Sequence, residues 1–426
     1  MKNNIDIIDL LLSNPSIKIG QNLFKNCIKL ERITIPSFVT IIEKSAFEGC
    51  KSLREITVPS SVTSIGLNSF MNCSSLCKVD LLCSIESIKS CTFSGCSSLE
   101  EITIPTTVCS IESNAFNKCT SLKTIAIPSS VSFIGSSAFI NCSSLTEINV
   151  PEKVKCIEES TFSDCLSLRK IEITSKTEEI KNSAFNGCSS LCDITIPSSL
   201  SCIEMFLFSN CSSLTKIEIP SSVKKIGKSA FNGCTSLVDV IIPSSVTYIS
   251  EYAFRKCSSL QKIALPSSVN SIVQYTFSEC SSLTDISIPL SVTFIGSFAF
   301  NKCSSLAQID IPSSVFLIGK SAFCDCEKLL EISIPPEVTK IDENTFNGCI
   351  SLREIVIPSF SITVDDTAFL KCQSLEKVSI LAQPENESTG MMQGQSRLTG
   401  MMQGQSRLTG MMQGKFKSKN NKCDIQ

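Results

Sequence analysis

CSSLTKIEIPSSVKKIGKSAFNGC, residues 211–234, carries the plan of the whole chain. Between its two cysteines lie Leu214, Ile217 and Ile219, then Pro220, then Val223 and Ile226, then Ala230 and Phe231. The Leu-x-x-Ile-x-Ile segment alternates in its last three positions, as a half-buried strand does. Pro220 ends that strand because proline has no N–H to give to a ladder. The small polar pair Ser221 and Ser222 lets the chain turn. The second apolar set returns it along the opposite side. The result is one coil with an apolar inside that it cannot bury alone.

The same wording recurs in both directions. Stepping by 23 from Cys27 reaches sixteen consecutive cysteines, ending at Cys372, without an insertion or deletion. Three residues before each stands a phenylalanine, from Phe24 to Phe369, and three after each a leucine, from Leu30 to Leu375. Proline follows the strand in thirteen of the sixteen, with Leu82, Thr174 and Leu381 as departures. A fixed period of this length signals a solenoid, in which stacked coils cover one another. Identical residues then line up in columns of Phe, Leu, Ile and Cys. Parallel strands stack about 4.7–4.9 Å apart, so sixteen coils predict a curved rod roughly 75 Å long. The expected architecture is a repeat solenoid with a parallel β-sheet on the concave side and irregular or very short strands on the convex side.

Residues 1–26 read as a degenerate capping repeat. Ile7, Leu10, Leu12 and Ile19 fall on the Leu, Ile, Ile and Ile columns, with Asn4 where the cysteine would be. Residues 27–380 form the solenoid, 381–414 a linker, and 415–426 a basic terminal segment. The start, MKNNIDIIDLLLSNPSIKIG, has its apolar run interrupted by Asp6 and Asp9, which argues against a secretory signal. No stretch approaches the roughly 18–20 apolar residues of a membrane-spanning helix.

The pattern C-x-x-L-x-x-I-x-I-P…I-G-x-x-A-F resembles the BspA-like leucine-rich repeats, the 23-residue class first associated with treponemal surface proteins. The Cys-rich and Ser-rich wording IPSSV…IGxxAFxxCSSL looks most like versions from parasitic protists, especially amoebae. The resemblance covers residues 4–380. It implies a leucine-rich repeat horseshoe used for adhesion or protein binding, often at a cell surface. It implies no catalytic residues.

Of the 25 cysteines, sixteen lie in the ladder and eight elsewhere in the repeats: Cys77, Cys83, Cys91, Cys109, Cys156, Cys192, Cys202 and Cys324. The ladder cysteines are read as small, weakly polar core residues. Zinc motifs space their ligands by two to four residues, whereas this ladder spaces them by 23. No off-ladder pair shares a column in adjacent coils, so a disulfide framework is not expected, and free thiols at this density favour a reducing compartment. The sequons at Asn72, Asn141, Asn210 and Asn386 are expected to carry no glycan.

The chain has no histidine and a formal net charge of -2. Histidine-based triads and histidine zinc sites are therefore excluded. Carboxylates are plentiful without clustering. The expectation is a protein that is not an enzyme, takes no cofactor or metal, and does not bind nucleic acid.

The candidate binding face is the outward row five residues after each ladder cysteine. It runs Arg32, Glu55, Lys78, Glu101, then Glu147, Lys170, Asp193, Lys216, Asp239, Lys262 and Asp285, with Thr124 between Glu101 and Glu147. Fourteen of the sixteen positions are charged, and signs alternate through most of the row. Two readings stand: a face that engages protein ligands, or a solvated sheet surface in which opposite charges stabilise neighbouring strands by a few tenths of a kcal/mol each.

After Leu381 the composition changes. Residues 390–409 hold two copies of GMMQGQSRLT, and GMMQG begins a third. This reads as a flexible linker. Lys415, Lys417, Lys419 and Lys422 then lead to Cys423-Asp424-Ile425-Gln426, a C-a-a-X box of the farnesyl class with Asp424 as a departure. A farnesyl group on Cys423 and the basic tail would give two weak membrane signals. The expected location is the cytoplasmic face of the plasma membrane, with an outward-facing cell-surface adhesin or antigen as the alternative.

Overall fold

The computed structural model describes residues 18–358 and 362–380. It is a parallel β-solenoid of stacked coils, and every assigned element is a strand.

Each coil carries up to two strands. The first row lies five to eight residues after the ladder cysteine, as in Glu55–Val58, Lys170–Glu172 and Lys377–Ile380. The second row is a two-residue strand nine and eight residues before the next cysteine, as in Ser64–Ile65, Phe133–Ile134 and Tyr248–Ile249. Pairing is parallel, and partners differ by one repeat. Lys170 opposes Asp193, and Ile226 opposes Ile249. The short strands that were expected on one side thus form a second regular ladder.

The turn chemistry explains the consensus. The N–H three residues after the proline closes a turn onto its carbonyl, as from Val62 to Pro59 at 3.0 Å. The second serine of the Ser-Ser pair also binds coil to coil: Ser222 Oγ donates to the Leu200 carbonyl at 2.6 Å and Ser245 Oγ to Val223 at 2.7 Å. Two corner positions need a left-handed backbone. The residue before the ladder cysteine has positive φ in all sixteen coils, from Asn26 at 58° to Gly348 at 81°. Asn, Asp and Gly take most of those places, because they tolerate that region best.

The core is one continuous cluster from Ile19 to Ala368. The phenylalanines form a single stack from Phe24 to Phe369, with ring centroids such as 5.6 Å between Phe208 and Phe231 and 5.3 Å between Phe231 and Phe254. From Cys50 onward each ladder thiol also donates a hydrogen bond. Cys211 Sγ donates to the Phe185 carbonyl of the preceding coil at 3.2 Å, and the same bond recurs from Cys50 to Cys372. That carbonyl already accepts the Cys188 N–H at 3.2 Å, so the thiol fills its second lone pair.

One expectation needs correction at the ends. Cys27 is exposed and Cys372 only half-buried, so the ladder is fully buried from Cys50 to Cys349 and not across all sixteen. Each coil is covered only by its neighbours, and an end coil has fewer of them. Of the proposed capping residues, Ile19 is fully buried and its strand Lys18–Ile19 pairs with Ile41–Ile42. Ile7, Leu10 and Leu12 lie outside the described residues.

Candidate functional site

The eleven charged positions singled out from the sequence form one exposed row along the first ladder, from Arg32 to Asp285. The register brings opposite charges side by side: Glu55 opposes Lys78, Lys216 opposes Asp239, and Asp239 opposes Lys262. Some close into ion pairs between coils, such as Arg32 with Glu55 at 3.4 Å and Lys262 with Asp285 at 3.8 Å. Others pair along their own strand, Lys78 with Asp80 at 3.2 Å and Lys170 with Glu172 at 2.9 Å. A hydrogen bond from Lys170 to Glu172 raises the lysine above its ordinary value. Exposed pairs of this kind contribute little to stability. Their effect is to spend much of the charge internally, leaving a polar strip of mixed sign. Ile241 is a large apolar side chain strongly exposed on this strip.

The opposite side carries residues that column-by-column reading of the first row did not single out. The position five before the ladder cysteine is left-handed in fifteen coils, mostly as Ser or Asn. In four coils it is aromatic: Phe206 at φ 55°, Tyr252 at 60°, Tyr275 at 58° and Phe298 at 58°. A bulky residue held there costs on the order of 1–3 kcal/mol. Tyr252 and Tyr275 stack with centroids 4.8 Å apart, and Tyr275 and Phe298 at 4.6 Å. Arg255 lies 5.9 Å from the Tyr252 ring and 5.8 Å from Tyr275, and its guanidinium binds Glu279 at 2.6 Å. Lys228 sits 5.6 Å over Tyr252.

The second strand beside this stack is also aromatic. Tyr248 is 40% exposed with Lys225 5.7 Å over its ring; Phe316 and Leu317 are 54% and 48% exposed. Phe294 pairs in register with Leu317. The signal in the sequence was there: all three tyrosines fall between 248 and 275, on a chain whose phenylalanines mostly serve the ladder.

Charge on this side is uneven. From Lys224 to Asp325, the segments that run from the residue before the second strand to the ladder cysteine carry Lys224, Lys225, Lys228, Arg255, Lys256, Lys302 and Lys320 against Glu251, Glu279 and Asp325. Glu251 is tied to Lys228 at 3.3 Å and Glu279 to Arg255, so the net field is positive. The corresponding segments before it are acidic, with Glu158, Glu159, Asp164, Glu178, Glu179 and Glu204 against Lys155 and Lys181. Those after it carry Asp342, Glu343, Asp365 and Asp366 against Lys340 and Lys371.

Cys423 and Lys415, Lys417, Lys419 and Lys422 lie outside the described residues. Among the described residues no helix is long and apolar enough to cross a membrane.

Comparison with known proteins agrees with the geometry. The profile of the BspA type leucine rich repeat region matches in six overlapping stretches, residues 17–145, 75–192, 109–234, 201–329, 249–376 and 293–401. Among solved structures, a leucine-rich repeat protein from Bacteroides ovatus is 34% identical, covering 81% of this chain and 88% of its own, with a TM-score of 0.71. A leucine rich cell surface protein from Faecalibacterium prausnitzii is 27% identical, covering 83% of this chain and 88% of its own, with a TM-score of 0.47. No curated protein matches the chain. With its 23-residue register and its Phe and Cys columns, the chain belongs to the BspA-type leucine-rich repeat family.

Proposed function

We propose that this chain is a non-enzymatic protein-binding scaffold held at a membrane by its C-terminal segment. The observation that carries the reading is the regular presentation of exposed side chains on both ladders of one continuous core. Repeating one geometry coil after coil can match an extended partner. It does not converge groups on a single reacting point, which chemistry requires. The partner is a protein.

The proposed tether is Cys423, followed by Asp424, the aliphatic Ile425 and Gln426 in the C-a-a-X pattern. A farnesyl chain contributes about 0.8 kcal/mol per buried methylene, and Lys415, Lys417, Lys419 and Lys422 about 1 kcal/mol each near an anionic surface. Neither alone holds a protein firmly. Residues 381–414 act as the spacer between rod and bilayer. Membrane fractionation tests this. Cys423→Ser is expected to move most of the protein to the soluble fraction. Replacing the four lysines is expected to weaken attachment partly and make the remainder insensitive to salt. An unmodified CDIQ terminus on membrane-bound protein sinks the tether.

The second reading is an outward-facing adhesin or antigen. Membership of the BspA-type family supports it, since adhesion at a cell surface is what that resemblance implies. Antibody labelling of intact against permeabilised cells separates the two: signal only after permeabilisation supports the cytoplasmic face, and signal on intact cells supports the adhesin.

A further inference from the structure

Exposed Phe316 and Leu317, with half-buried Phe294 in register beside Leu317, form an apolar patch on the second ladder; exposed Tyr248 lies two coils before Phe294, across Ser271, and the Tyr252–Tyr275–Phe298 stack runs four residues further on in the same coils. We propose that this surface is where the scaffold docks a partner, and that the partner is an acidic, aliphatic-bearing segment of another protein. The inference deepens the binding-scaffold reading and rests on it.

Three observations converge. The first is cost. Tyr252, Tyr275 and Phe298 occupy left-handed positions that ten other coils fill with Ser or Asn. Their mutual stacking returns about 0.5–1.5 kcal/mol for each of the two pairs, against a backbone cost on the order of 1–3 kcal/mol for each of the three residues, so stacking alone does not offset that cost. The second is residue type. Aromatic residues and arginine are enriched at the centres of protein interfaces, where they give large contact area with little entropy to lose. Here they meet at Arg255, packed against two tyrosines. The first ladder has no such cluster.

The third is charge, which chooses the partner. The aromatic coils are the positive stretch of this side, between acidic segments. Lys224 and Lys320 are exposed and carry no carboxylate partner among the described residues. The stacked rings add to that field. Tyr275 has both faces covered by its neighbours at 4.8 and 4.6 Å, and Tyr252 has Tyr275 on one face and Lys228 5.6 Å over its ring, so along its length the stack offers ring edges. Ring edges are the positive part of the quadrupole and attract carboxylates. The same stacking disfavours single-stranded nucleic acid, which needs open ring faces to receive its bases. An acidic segment with aliphatic side chains fits both properties: carboxylates to the lysines and ring edges, alkyl groups to Phe294, Phe316 and Leu317.

The test is a selection of phage-displayed random 16-residue peptides on the immobilised full chain. Selected peptides are then measured against two variants, each first checked for an unchanged melting midpoint. One is Lys224→Glu/Lys320→Glu/Phe316→Ser. The other, on the first ladder, is Lys216→Ala/Asp239→Ala/Lys262→Ala. The expected result is enrichment of Asp and Glu with Leu, Ile or Phe, and at least tenfold weaker binding to the first variant with binding to the second unchanged. Peptides without acidic enrichment, or lost on the first-ladder variant instead, overturn this site while leaving the scaffold reading intact. No selectable peptide on the wild type counts against both. A fluorescent dT20 oligonucleotide or phosphatidylserine vesicles bound through Lys224 and Lys320 more tightly than any peptide would also overturn it, as would sedimentation showing a dimer that the first variant abolishes.

Discussion

Phe208 shows what a single position carries in this architecture. It is fully buried, with Phe185 5.8 Å away on one side and Phe231 5.6 Å away on the other. Truncating a buried aromatic costs roughly 3–5 kcal/mol. Phe208→Ala is expected to lose that much in denaturant unfolding, while the exposed Lys262→Ala stays within about 0.5 kcal/mol of wild type. Equal effects would remove Phe208 from the core. The thiol column is a subtler case. Cys211→Ala deletes the 3.2 Å bond to the Phe185 carbonyl but leaves the Cys188 N–H on it. The expected loss is about 1 kcal/mol, well below that of Phe208→Ala. Gly233 stands at φ +77° with the Asn210 Oδ1 2.6 Å from where a Cβ would be. Gly233→Val is therefore expected to cost about 1–3 kcal/mol, although it only adds atoms at a corner; a stability equal to wild type would contradict the left-handed corner.

At the scale of the coil, register matters more than amount. Among the described residues every strand pair joins residues one repeat apart, as Lys216 joins Asp239 and Ile217 joins Val240. Deleting residues 212–234 removes one complete coil and joins Cys211 to Thr235 in unchanged phase. Deleting Lys216 alone moves Ile217 and Ile219 to the wrong parity, and a one-residue slip turns buried side chains outward. The expectation is that the larger deletion retains a single cooperative unfolding transition and the smaller one is the less stable protein. Circular dichroism on both deletions decides it; the reverse order would mean that the coils are not interchangeable units.

For the whole molecule, the cysteine column sets a pH limit. Burial pushes Cys96, Cys142, Cys234 and Cys280 up from the ordinary 9.0 to about 12. Burial likewise holds Cys119, Cys165, Cys188 and Cys211 well above it, and Cys257, Cys303, Cys326 and Cys349 with them. A raised folded value means that the folded state keeps its proton where the unfolded chain loses it. Stability is then full below about pH 9 and falls as pH rises towards the folded value. Each thiol contributes a slope of about 1.4 kcal/mol per pH unit, and a dozen act together. The melting midpoint, measured with reductant present, is expected to be level from pH 7 to 8 and to collapse within about one unit above pH 9. A gradual decline of the same slope as for a cysteine-poor protein would show that the thiols are accessible. Because each buried ladder thiol is engaged with a carbonyl of the preceding coil, adding reductant at pH 7 is expected to leave the midpoint unchanged. A large drop on reduction would mean disulfides and an oxidising compartment.

The solenoid, its period, its columns and the identity of its inward residues were all determined by the sequence alone, because a strict 23-residue repeat permits one in-register stacking that buries Phe, Leu, Ile and Cys together. The charged row from Arg32 to Asp285 was legible for the same reason: strand parity assigns it outward. Three things needed the tertiary structure. The carbonyl accepting each thiol lies 26 residues earlier, one repeat plus the Phe-x-x-Cys spacing, but the column pattern reports which side chains point inward and not that the backbone carbonyl of the phenylalanine in the preceding coil is the acceptor. The left-handed corners depend on backbone geometry that Asn and Gly suggest but Lys, Tyr and Phe conceal. The aromatic and cationic surface arises between coils. Tyr252, Tyr275 and Phe298 are unremarkable singly, 23 residues apart in the chain, and become a stack only because stacking the coils brings one column to within 5 Å.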